Sequence, residues 1–278
     1  METLGFVKSM RSLTIAATIA AIAATCAPLA SSAWAGEDAA ARKLLQAVFD
    51  KNSSGFQTGQ SKTSITLTLA SGKSKTWTTL ARVLRGADGR LKTRATFLEP
   101  AESVGTELLM LEQGKGAAGQ TEVVQYLWLP KTKRLRRISG AQRNEPFMGT
   151  DFSFGDLEGK NAQTGSAKVV GAEAVAGVPC TKVDVAIADP ADVYGKVLLW
   201  IDEKAAIPRK IQFHDKAGLL VKTLEVERVK ALEGGRSHME KLKMLNHLRN
   251  SVTTVETRDV DSKTALPEAL FTPDALGK

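Results

Sequence analysis

An antiparallel β fold, built as a barrel, half-barrel or sandwich, is what this sequence predicts, and three observations predict it. Short apolar segments alternating with polar neighbours recur from Ile65 almost to the end of the chain. Turn signals such as Ser71-Gly72-Lys73, Gly86-Ala87-Asp88-Gly89 and Asp215-Lys216-Ala217-Gly218 separate them at intervals too short for crossover helices, which implies antiparallel pairing. Several segments are apolar on both sides, notably Glu107-Leu108-Leu109-Met110-Leu111 and Val197-Leu198-Leu199-Trp200-Ile201, so something must cover the second face of the sheet.

The chain begins differently. Lys8 and Arg11 precede an apolar run at 13–24, and Ala33-Trp34-Ala35 offers small residues at both positions a signal peptidase reads. The run is too short to span a bilayer, which takes about 20 apolar residues as a helix. Residues 1–35 are therefore expected to be a cleaved secretory signal peptide. Residues 36–278 are then a single exported domain working in the periplasm. Cys26 follows Ala23-Ala24-Thr25, a poor match to a lipoprotein signal, so it is expected to leave with the signal rather than carry a lipid anchor. The leader holds Lys8, Arg11 and Glu2, so the mature net charge falls from +8 to +7. Such a charge suits anionic lipid head groups or an acidic partner, but the basic residues are dispersed except at 131–137, and the preferred reading is a solvated basic surface that aids solubility. No later segment approaches the length of a membrane span.

Residues 37–52 read as a helix, with Ala40, Leu44, Ala47 and Val48 on one face and Glu37 and Asp38 at the positive end of its dipole. The period then changes to two. Strands are expected at 65–69, 77–84, 91–98, 107–112, 123–129, 134–138, 168–171, 181–188, 196–202, 209–214, 219–226, 239–245 and 251–260. The remaining cysteine, Cys180, falls in an apolar strand pattern and reads as a buried, inert thiol with no internal partner. Two stretches break the β rhythm: 100–105, a loop, and 142–159.

The most distinctive segments adjoin that second break. Tyr126-Leu127-Trp128-Leu129 and Arg134-Leu135-Arg136-Arg137-Ile138 form a hairpin around Pro130-Lys131-Thr132-Lys133. Then follows Phe147-Met148-Gly149-Thr150-Asp151-Phe152-Ser153-Phe154-Gly155-Asp156-Leu157, three phenylalanines and a methionine around Gly149 and two turn-forming aspartates. Ser153 with Asp156 suits a helix start. These segments resemble the periplasmic outer-membrane lipoprotein-sorting family, the branch similar to the LolA and LolB carriers. Leu199-Trp200-Ile201-Asp202, Ile207-Pro208-Arg209-Lys210 and the terminal Leu266-Pro267, Leu270-Phe271-Thr272 and Leu276 extend the resemblance over most of residues 43–276.

The resemblance implies an incompletely closed antiparallel half-barrel with a few helices covering an apolar cavity. It implies a carrier that shields a lipid or acylated protein cargo on its way to the outer membrane. The alternative it implies is a non-catalytic accessory subunit docking on a membrane exporter of the resistance-nodulation-division type. The chain is longer than the carriers proper, with an extra region around 142–163, so the cargo is left open between a lipoprotein and another lipid. Burying an acyl chain of about 16 carbons offers on the order of 10 kcal/mol before ordering costs. That needs apolar area and few polar anchors. Candidate ligand-binding residues are Trp77, Trp128, Phe147, Met148, Phe152 and Trp200, with Arg134 and Arg137 (and their neighbour Arg136) at a basic mouth. Those arginines have a second reading as a solvated strand face or as partners of Asp151 and Asp156.

Signs of catalysis are absent. His214, His238 and His247 lack metal-site spacing, and neither a Gly-x-Ser-x-Gly elbow nor a phosphate-cradling loop occurs. No cofactor or metal is expected, and the chain does not read as an enzyme. Aromatic residues are 5% of the chain and are not interleaved with a basic stripe, which argues against nucleic acid as a partner.

Overall fold

The period-two segments fold as strands, and their short turns pair each with its neighbour in sequence. The computed structural model describes residues 38–51, 56–115, 121–159, 165–232 and 236–278. The expected leader with Cys26, and the turns expected at 52–55, Gly116 and 234–235, lie outside the described residues.

A helix α1 (Ala39–Lys51) precedes the strands β1 (Thr58–Thr68), β2 (Ser74–Arg85), β3 (Leu91–Glu99), β4 (Glu107–Lys115), β5 (Thr121–Leu129) and β6 (Arg134–Ile138). A crossover containing the short helix α2 (Phe154–Glu158) leads to β7 (Ser166–Val175), β8 (Val178–Ala186), β9 (Tyr194–Asp202), β10 (Ile207–Asp215), β11 (Leu220–Ala231), β12 (Ser237–Asn246) and β13 (Ser251–Asp261). Among the described residues these thirteen strands make one sheet in the order β6-β5-β4-β3-β2-β1-β13-β12-β11-β10-β9-β8-β7. Every pairing is antiparallel. Two meanders, β1–β6 and β7–β13, are thus joined where β1 pairs with β13, with Ile65 beside Val255 and Leu67 beside Thr253. The edges β6 and β7 do not pair with each other, so the barrel is open. The fold is the expected half-barrel.

Register assigns each side chain to a face. Leu67, Trp77, Phe97, Leu108, Leu127 and Ile138 share the inward face of the first meander. Val183, Val185, Val197, Leu199, Ile201 and Met244 share that of the second. Helix α1 packs on the second meander through Ala41 and Leu45, both fully buried, with Leu44, Val48 and Phe49 beside them. The expected helical face is corrected here: Ala40 and Ala47 are exposed. Leu45 and Phe49 bury far more apolar area than two alanines and decide the helix rotation. Asp38 caps the helix by accepting from the Ala40 N–H at 2.8 Å and also accepts from the Val169 N–H of β7, which holds its carboxyl below the ordinary range.

The outward face of the first meander is covered as well. The C-terminal tail lays Phe271 and Leu276 over Leu109, with Leu84, Leu111, Tyr126 and Trp128 alongside. Arg94 on β3 and Glu107 on β4 form a buried ion pair at 2.7 Å beneath it. Arg94 also donates to the carbonyls of Leu270 and Ala275, and Glu107 accepts from the Gly277 N–H at 2.9 Å. Gly277 is required: its φ is +78°, and a Cβ there would stand 2.4 Å from the Trp128 ring. The two-sided apolar pattern at 107–111 is explained by core on one side and tail on the other.

Candidate functional site

The crossover from β6 to β7 passes over the inward face of the sheet and is the only covering that the first meander's inward apolar face receives among the described residues. The distinctive motif at 147–157 is that covering. A short turn at Phe147–Gly149 drops Phe147 against Phe97 and Phe154, with ring centroids 5.8 and 5.5 Å away. Phe147 and Phe154 are buried among Trp77, Leu108, Leu127 and Ile138, and Met148 packs against the same group. Phe152 turns the other way, into the cluster of the second meander, and Leu157 packs against both clusters. Met148 holds φ 51°, a left-handed conformation that costs a non-glycine residue about 1 kcal/mol or more and persists only where the surroundings impose it.

What imposes it is a row of polar anchors. Asp151, 1% exposed, accepts from the Ser251 hydroxyl at 2.6 Å and the Thr253 hydroxyl at 2.8 Å, both on β13. Its own N–H donates to Thr253 Oγ1, and Arg249 lies 3.4 Å from its carboxylate while donating to the Gly149 and Thr150 carbonyls. Ser153 caps α2 by accepting from the Asp156 N–H, as its spacing predicts. Asp156 in turn accepts from Tyr194 of β9 at 3.0 Å and from Lys222 of β11 at 2.8 Å. Burial, with Asp156 beside it, pushes the Tyr194 phenol up and keeps it a donor. Glu158 pairs with Arg143, and Gln125 of β5 donates to Glu158 and to the Phe154 carbonyl. The crossover is thus fastened to β5, β9, β11 and β13 at once.

Two buried polar atoms under this roof lack partners. Trp77 is 3% exposed, and its indole N–H meets no acceptor; nor does Gln125 Oε1 meet a donor. An orphaned donor of this kind costs roughly 1–3 kcal/mol. Beside Trp77 toward the end of the sheet, the Lys75 ammonium lies 5.0 Å from the indole ring.

The structure therefore brings together Trp77, Phe147 and Met148, with Phe152 on the same crossover. Arg134 opposes Leu129 in the inward phase of the edge strand β6 and is exposed. Three candidates lie elsewhere. Trp128 opposes Leu135 on the outward face, under the tail. Arg137 opposes Tyr126 on that same outward face. Trp200 is outward on β9, clamped between the ammonium groups of Lys182 and Lys210, each 4.7 Å from its ring, with its N–H on Glu173. The partners of Asp151 and Asp156 are Arg249 and Lys222 rather than the arginines of β6. Arg136 instead stands 3.8 Å from Glu145. Lys222 was missed, although the sequence carries a signal for it: it occupies the same alternating phase as Leu224 and Val226, where a charge calls for a buried counter-charge. Two cavities, of about 350 and 370 Å3, lie beside 230–232 and 260–263 and beneath the tail at Arg82 and Arg94. Neither is lined by Trp77, Phe147 or Met148.

The architecture has counterparts among solved structures. An outer membrane lipoprotein-sorting protein domain from Vibrio parahaemolyticus is 25% identical, with a TM-score of 0.75 over 86% of this chain and 99% of that one. A DUF1329 family protein from Desulfovibrio piger is 21% identical, with a TM-score of 0.77 over 85% and 98%. A LolA superfamily protein from Nitrosomonas europaea is 19% identical, with a TM-score of 0.63 over 85% and 99%. No curated protein matches the sequence. The chain thus shares its fold with structures described as an outer membrane lipoprotein-sorting domain and a LolA superfamily protein. The chain belongs to the family whose model, described as that of an uncharacterized protein, matches residues 89–278.

Proposed function

We propose that this protein binds an acyl chain between the inward face of the first meander and the crossover, and carries a lipid or acylated protein through the periplasm toward the outer membrane. One observation carries the reading: a continuous apolar sheet face is roofed by a single segment held by polar anchors rather than by its own hydrophobic packing alone. The fold supports it, because a lipoprotein-sorting domain shares it over nearly the whole described chain.

The energetics permit an exchange. Phe147, Met148 and Phe154 fill the space now, and burying such side chains is worth roughly 1.5–3 kcal/mol each. A bound acyl chain of about 16 carbons offers on the order of 10 kcal/mol before ordering costs. Cargo can thus replace the three side chains if the crossover lifts, and a carboxyl or ester oxygen would meet the free indole N–H of Trp77. No side chain of the site needs to take part in bond making.

The test is titration with a dansyl-labelled fatty acid, read by energy transfer from tryptophan. Saturable binding is expected, weakened several-fold in Trp77→Phe and tightened in Asp151→Ala, which frees the crossover. If neither the wild type nor the Asp151→Ala protein binds saturably, the carrier reading fails.

A further inference from the structure

The turns β1–β2 (69–73), β3–β4 (100–106) and β5–β6 (130–133) lie at one end of the first meander, since each closes a hairpin of the same sense. They touch. Lys75 pairs with Glu102 at 3.1 Å, and Gly105 packs beside the Pro130 ring. Lys131 joins Lys75 in drawing the Glu102 carboxyl below its ordinary range, after that residue's own backbone N–H. The three turns therefore make one continuous edge.

Its composition is unusual for a surface. Four of the nine large apolar residues exposed among the described residues fall here: Leu69, Leu98, Val104 and Leu135, from 37% to 51% exposed. Around them stand Lys73, Lys75, Lys131, Lys133 and Arg134, against the acids Glu99 and Glu102. Glu102 is already paired, and Glu99 accepts from Thr78. The cluster at 131–137, singled out by the sequence, forms its basic corner.

We infer that this edge docks on the surface of an anionic lipid bilayer. Lysine is depleted from protein–protein interfaces, and the aromatic anchors that dominate them are missing from these three turns. Aliphatic tips flanked by lysines suit the boundary between acyl chains and head groups, where binding grows with buried apolar area and with attraction to anionic lipid. Each lysine near such a surface contributes about 1 kcal/mol, roughly a fivefold change in partition. The edge also leads inward past Lys75 to Trp77, so docking places the roofed face next to the lipid source. The docking does not depend on cargo binding.

The experiment is flotation of the purified protein with vesicles of phosphatidylcholine alone and of phosphatidylcholine with phosphatidylglycerol, without fatty acid. Binding to the anionic vesicles only, released by salt, is expected. Lys131→Gln with Lys133→Gln should lower partition about 25-fold. Leu69→Asp with Val104→Asp should abolish it while circular dichroism stays unchanged. Lys62→Gln with Lys230→Gln, an equal loss of charge on exposed strand positions away from the edge, should have a small effect. Equal losses in the two lysine pairs, or binding indifferent to the apolar substitutions, would mean general electrostatic adhesion and overturn the assignment. Failure here with intact fatty-acid binding would leave the carrier reading standing, and the reverse result would leave this one.

Discussion

At Asp151, one fully buried carboxylate meets two hydroxyls of β13 and the guanidinium of Arg249. Removing it strands both hydroxyls and takes the counter-charge from Arg249, and breaking a buried, paired network costs about 3 kcal/mol. Asp151→Ala should lower the urea midpoint by that much with little change in slope; a loss under 1 kcal/mol would mean the anchor is dispensable. Residue roles were partly legible. Phe147, Met148 and Phe152 stood out by their crowding into a turn-rich stretch. Trp128 and Trp200 did not reveal their face, because a strand that is apolar on both sides hides its phase and a shift of one residue reverses every side chain. Trp128 is one residue from Leu127, yet the two sit on opposite sides of the sheet. Ser251 and Thr253 gave no signal, since short hydroxyl residues are ordinary in strands.

Among the elements, the C-terminal tail is held in place by polar and steric contacts together. The Arg94–Glu107 pair fixes three of its backbone groups, and the Trp128 ring leaves no room for a side chain at Gly277. Gly277→Val should destabilise by about 2 kcal/mol, from overpacking and the positive φ. The loss should shrink in a Trp128→Leu background; equal losses in both backgrounds would show that the ring is not the obstacle. The sequence marked this tail only through its resemblance, because a loop that makes 3₁₀ turns has no period to read. The crossover was legible as a break in the β rhythm around 142–159. Its destination was not, since nothing local tells a loop that its two ends belong to opposite edges of a sheet.

For the whole molecule, alternation and turn chemistry were enough to give the antiparallel strands and their neighbours. Strand order at the centre was not available that way. β1 and β13 meet across almost the entire chain, and such a pairing is settled by the inward phase of Ile65, Leu67 and Val255 only once the two meanders exist. Stability should follow that order. Hydrogen exchange should find the amides of β1 and β13 among the best protected and those of β6 and β7, each paired on one side, among the fastest. Faster exchange at the central seam than at the edges would show that the two meanders open as separate units.

That seam also sets a timetable. A chain delivered N-terminus first, from a ribosome or an export channel, presents β1 early and must leave it unpaired on one side until β13 arrives. Contacts so distant in sequence form slowly, and an open strand edge is a template for aggregation in the meantime. Holding β1 for its distant partner is therefore work for a chaperone, and the demand falls on the newly delivered chain rather than on the finished half-barrel.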